Sequence, residues 1–90
     1  DDEQVIEHLT RIKGVGRWTA EMLLMFSLDR PDVFPADDLG IQSAMKRLYT
    51  VKGDGRPLRN RLQRIAETWR PHRTLACRYL WRWKGTAATS

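Results

Sequence analysis

The sequence predicts an all-α domain of about five helices, the first two joined as a helix-hairpin-helix. Two observations carry this. Apolar residues recur at spacings of three and four in five stretches, and no stretch alternates polar and apolar as a half-buried strand would. Glycine and proline then cut the chain at Gly14 and Gly16, Pro31 and Pro35, Gly53 and Gly55, and Pro71. At 90 residues, 41% hydrophobic and 30% charged, the chain has the composition of one small folded domain with a single modest core.

A first helix is expected over about residues 2–12, capped by Asp1 or Asp2, with Val5, Ile6, Leu9 and Ile12 on its apolar side. Lys13-Gly14-Val15-Gly16 stops it. Two glycines one residue apart suit a tight turn with positive φ and leave no room for a long loop. The second helix, from Arg17 to about Ser27, carries Trp18, Ala20, Met22, Leu23, Leu24, Met25 and Phe26, apolar nearly all the way round. That pattern predicts burial on most sides, with neighbours from helices outside the chain or from another chain. Residues 28–37 read as an ordered connection held to the core by Val33 and Phe34. Asp37-Asp38 opens a third helix, about 38–49, with Asp37 the expected N-cap.

Residues 50–56 form a flexible surface loop in this reading, and Pro57 suits the first turn of a fourth helix, about 57–70. Leu58, Leu62, Ile65, Ala66 and Trp69 line one stripe of it and arginines the other, with Trp69 read as core. Pro71 separates it from a fifth helix, about 72–83, with Leu75, Ala76, Tyr79, Leu80 and Trp83 on its apolar positions. Residues 85–90 are expected to be a disordered tail.

Several classes are excluded by composition. No apolar run reaches the roughly 18 to 20 residues of a membrane span, and Asp1-Asp2-Glu3 is unlike the basic start of a signal peptide, so an intracellular place, cytoplasm or nucleoid, is expected. Cys77, alone, can form neither an internal disulfide nor a four-cysteine iron–sulfur cluster, and reads as a buried filler. His8 and His72 are isolated, which argues against zinc. The net charge of +5 conceals an asymmetry: residues 1–38 carry −5 and residues 39–90 carry +10, most of it arginine. Guanidinium groups in that density suit phosphate and point to a nucleic acid, against the plainer reading of a solvated basic face.

Two motifs could carry chemistry. In Leu9-x-x-Ile12-Lys13-Gly14-Val15-Gly16-Arg17-Trp18-Thr19-Ala20, a glycine hairpin followed by a helix N-terminus aims bare N–H groups at one point, which suits a phosphate; the same turn could simply join two helices. Lys13 and Arg17 flank it, either reaching phosphate or remaining solvated. In Val33-Phe34-Pro35-Ala36-Asp37-Asp38, the Asp38 carboxylate at a helix N-terminus can be a cap, a general base for water, or an anion facing a developing cation.

Gly-Val-Gly-Arg-Trp-Thr-Ala, then Asp-Val-Phe-Pro-Ala-Asp-Asp-Leu-Gly-Ile, then Trp69-Arg70-Pro71-His72-Arg73 and Tyr79-Leu80-Trp81 together resemble the helix-hairpin-helix DNA glycosylase superfamily, in its 3-methyladenine DNA glycosylase II branch. The resemblance implies that Asp38 is the catalytic carboxylate and that the amides of Gly14 and Gly16 hold a phosphate. It implies a sodium or potassium ion on the backbone carbonyls of Thr10, Ile12 and Val15, and no required cofactor. Trp18 and Trp81 fall on aromatic walls of the base pocket, and Met22 stands where some relatives carry tyrosine. Trp18 also occupies the place of the nucleophilic lysine of bifunctional relatives, and an indole cannot form a Schiff base.

The implied activity is monofunctional: hydrolysis of the N-glycosidic bond of alkylated purines in duplex DNA, within base-excision repair. Residues 1–84 would be the C-terminal portion of such a glycosylase domain, relying on N-terminal helices outside the chain or on self-association. A non-catalytic DNA-gripping fragment and a self-associating inactive bundle are the other readings.

Overall fold

The computed structural model describes residues 1–89, with side chains described through residue 84. Five α-helices and no strand are found among the described residues: α1 (Asp2–Thr10), α2 (Arg17–Phe26), α3 (Leu39–Leu48), α4 (Gly55–Glu67) and α5 (Arg73–Thr89). None of them is long and apolar enough to cross a membrane. Asp1 caps α1 reciprocally with Gln4: its carboxylate accepts from the Gln4 amide at 2.9 Å, and the Gln4 side chain accepts from the Asp1 backbone nitrogen at 3.0 Å. The turn at Gly14, with φ +89, folds α2 back against α1. Helix α3 packs on both α5 and α4.

The core is one cluster. Leu24 and Met25 of α2, Ile41, Ala44 and Met45 of α3, Leu62 and Ala66 of α4, and Cys77 of α5 are fully buried in it. Burial pushes the Cys77 thiol up to about 12, so this side chain is an inert filler at neutral pH. Trp69 packs edge-on against Phe34 with ring centroids 5.9 Å apart, and Trp83 lies under the Arg47 guanidinium at 5.5 Å.

The connection 28–37 is fastened chiefly by α5. Thr74 Oγ1 accepts from the Val33 amide at 2.9 Å and donates to the Arg30 carbonyl at 2.7 Å. Asp32 accepts from Arg73 Nε at 2.8 Å and from Arg70 at 3.0 Å. Desolvation raises the Asp32 carboxyl, but the hydrogen bonds and charge of Arg73, with the charge of Arg70, together outweigh it and hold the group below its ordinary range. One helix thus fixes the path of the loop that delivers Asp38.

Within this chain helix α2 is buried on one side: Ala20, Glu21, Leu24 and Met25 face inward, while Trp18, Leu23 and Phe26 remain exposed, and the neighbours expected for its other faces are not part of the chain. Two helix boundaries are corrected. Helix α4 begins at Gly55, ahead of Pro57, since first-turn amides have no intrahelical acceptor and a proline there costs no hydrogen bond. It buries Leu58, Leu62 and Ala66 and leaves Arg56, Arg61 and Arg64 outside. Helix α5 continues to Thr89, beyond the boundary expected near residue 83; one glycine lowers helix propensity without removing a hydrogen bond. Ser90, the end of the expected tail, lies outside the described residues.

Candidate active site

Asp38 lies where the 28–37 connection becomes α3. The Asp38 amide donates to the Pro35 carbonyl at 3.0 Å and Gln42 Nε2 to the Ala36 carbonyl at 2.7 Å, which tightens the turn. Asp38, not Asp37, is the N-cap: its backbone is extended and Oδ2 accepts from the Ile41 amide at 2.9 Å. The helix starts one residue later than expected, and Asp37 instead pairs with Arg59 of α4 at 3.3 Å.

Two indoles converge on the same carboxylate. Trp18 Nε1 donates to Oδ1 and Trp81 Nε1 to Oδ2, each at 2.8 Å. Asp38 is buried, at 9% exposure, while Trp18 beside it is 46% exposed. A carboxylate offers about four lone-pair directions, and the two indoles and the Ile41 amide take three. The one left is on Oδ1 and takes no hydrogen bond from the described residues. The competing sequence readings of Asp38 as cap and as chemical group are therefore compatible: Oδ2 caps α3 while Oδ1 stays available.

Trp18, Met22 and Phe26 follow one another at four-residue spacing along α2, which places them on one helix face. The Phe26 ring stands 5.8 Å from that of Trp81, and the Arg78 guanidinium lies 5.3 Å over Phe26. Phe26 was not singled out from sequence, although the four-residue spacing is a signal that could have found it. Met22 is half-buried against the core.

Just ahead of α2, Gly14 and Gly16 stand in open space, with nothing within 4 Å of where a Cβ would sit. Only Gly14 has positive φ; Gly16 is the extended N-cap of α2 and supplies no capping side chain, which leaves the first amides of the helix open to an anion. Lys13 is exposed. Arg17 is held on two sides, by Glu3 and by Glu21, whose Oε2 is 3.4 Å from Nε. The Ile12 carbonyl accepts from the Val15 amide at 3.0 Å and keeps a second lone pair; Thr10, Ile12 and Val15 thus offer neutral oxygen donors, which suit a hard monovalent cation.

Glu21 is the residue the sequence gives no hint of. It is 3% exposed, and Oε1 has no hydrogen-bond partner. Burial pushes its carboxyl up to about 7, only partly opposed by Arg17. The folded state therefore binds a proton that the unfolded chain has lost, so stability is highest below about pH 4.5 as far as this group is concerned and declines as pH rises to about 7. Across that window the cost is on the order of 3 kcal/mol. Glu21→Gln is expected to raise the melting temperature at pH 8 and to flatten its slope between pH 5 and 7.5; an unchanged slope in a calorimetric pH series would refute the assignment.

No protein-family model matches the chain. It is 47% identical over 81 residues to DNA-3-methyladenine glycosylase 1 of Schizosaccharomyces pombe, covering 90% of this chain and 35% of that protein. Among solved structures, a DNA-3-methyladenine glycosidase of Bacillus halodurans superposes with TM-score 0.85 at 47% identity, covering all of this chain and 41% of that one. The 3-methyladenine DNA glycosylase of Schizosaccharomyces pombe in complex with abasic DNA superposes with TM-score 0.80 at 45% identity, over 91% of this chain and 39% of that one. The chain thus spans about a third to two fifths of the length of these relatives.

Proposed function

We infer that this chain, which belongs to the helix-hairpin-helix DNA glycosylase family and spans part of its relatives' length, is the C-terminal portion of a monofunctional DNA glycosylase. Its substrate is duplex DNA carrying alkylated purines of the 3-methyladenine type, and its place is base-excision repair inside the cell. The observation that carries this reading is the buried Asp38 carboxylate held between two indoles with one lone-pair direction still open.

The chemistry follows from that arrangement. An alkylated purine bears a positive ring charge and leaves readily once turned out of the stack. Its glycosidic electron pair departs with the base, the sugar becomes oxocarbenium-like, and Asp38 stabilises that cation. Water then adds to the sugar and passes its proton to Oδ1. Trp18 and Trp81 turn their N–H edges to the carboxylate, so their faces are what they offer a cationic base, worth about 1–2 kcal/mol by cation–π attraction. The hairpin amides of Gly14 and Gly16 would hold a phosphate, with Lys13 and Arg17 beside them and a sodium or potassium ion on the carbonyls of Thr10, Ile12 and Val15 adding positive charge. The exposed apolar residues Leu23, Phe26, Leu75 and Tyr79 support a larger domain in which other helices cover them.

The test is release of 3-methyladenine and 7-methylguanine from methylated duplex DNA. Release without strand nicking, lost in Asp38→Asn, is expected once the rest of the domain or a second copy completes the site; its absence from the completed protein, with salt-sensitive duplex binding intact, would leave only a DNA-gripping module. Gly14→Ala forces a side chain into positive φ and is expected to weaken duplex binding about tenfold whatever the sequence. Unchanged affinity by fluorescence anisotropy would mean that the hairpin does not hold phosphate.

A further inference from the structure

Gly40 is the second residue of α3, a position where glycine has no evident backbone purpose. Glycine is the weakest helix former after proline, and Gly40 lacks the positive φ that accounts for Gly14, Gly53 and Gly55. Its surroundings supply a steric reason. A Cβ built there would stand 3.2 Å from Asp38 Oδ2 and 3.2 Å from both Cδ1 and Nε1 of Trp81, closer than such atoms ordinarily approach. These are the two partners of the Trp81–Asp38 hydrogen bond.

We propose that Gly40 is a positioning residue for Asp38: its missing side chain admits the Trp81 indole edge to Oδ2, and Trp81 with Trp18 then fixes the plane of the carboxylate. Gly40 touches no substrate and acts through Trp81. The opposite edge is set by Trp18 on Oδ1, and the Phe26 ring stands 5.8 Å from that of Trp81. The functional weight of this arrangement rests on the reading of Asp38 as the catalytic carboxylate; the arrangement itself does not.

The test uses the 15N-labelled chain, with the indole N–H resonances of Trp18 and Trp81 assigned through Trp18→Phe and Trp81→Phe. Gly40→Ala is expected to move the Trp81 indole resonance and to speed its hydrogen exchange about tenfold, as for one lost hydrogen bond, while Trp69 and Trp83 stay in place. The melting temperature should change little, because the better helix propensity of alanine offsets most of the lost hydrogen bond, whereas a purely structural role for Gly40 predicts general loosening that moves the Trp69 and Trp83 resonances as well. An unmoved Trp81 resonance overturns the proposal. If Gly40→Ala does not fold, Gly40→Ala with Trp81→Ala removes the obstructing ring and is expected to fold; failure of that pair also overturns it. None of these readouts needs DNA, so their failure is distinct from failure of the glycosylase reading, which would appear as missing base release.

Discussion

Asp38→Asn is expected to lower base release by on the order of a thousandfold while duplex affinity stays equal or rises. A carboxylate about 4 Å from a developing unit charge, at an effective dielectric of about 20, is worth roughly 4 kcal/mol, which the neutral amide forfeits. The substitution is informative because of what it preserves. Asn is as good an N-cap as Asp, so the bond to the Ile41 amide and the start of α3 should survive. The amide has one acceptor oxygen where the carboxylate has two, so one of the two indoles must lose its partner. Retained release in a single-turnover assay would remove Asp38 from the chemistry.

Leu24→Ala is expected to destabilise the fold by about 3–5 kcal/mol, the upper range for a fully buried leucine. Leu24 has no exposed surface and lies on the one side of α2 that this chain covers, so its loss leaves a cavity. A domain of this size holds on the order of 5–13 kcal/mol in total, so a large share of the stability would go. Leu75→Ala, at a side chain 53% exposed, should change stability by about 0.5 kcal/mol or less. Urea titrations of the two variants separate the cases, and equal midpoints would mean that α2 is not packed as described.

The five helices and their order were legible because each carries its own 3.6-residue periodicity and because glycine and proline separate them. The site was legible only in part. Resemblance located Asp38, Trp18 and Trp81, but the pairing of one indole with each carboxylate oxygen joins residues 20 and 43 positions from Asp38, and no local pattern encodes it. Choosing between Asp37 and Asp38 as the cap failed for a simpler reason: adjacent aspartates have equal propensity, and the turn at Pro35 decides which one meets the Ile41 amide. Glu21 sits in an apolar run as an ordinary helix-forming acid, and only packing shows that it is buried. Nor does the periodicity of α2 record which of its apolar faces this chain covers.

The exposed arginines of α4 bear on kinetics. Arg56, Arg61 and Arg64 stand on the outside of a helix whose other side is core, so they form a fixed array of positive charge. At physiological ionic strength its field reaches about 8 Å, so it acts on a polyanion only over the last nanometre of approach. For the duplex partner proposed above, such an array would raise the encounter rate within that range without favouring any base sequence. Capture would thus be fast and indiscriminate, and added salt would slow arrival more than it changes what happens at Asp38.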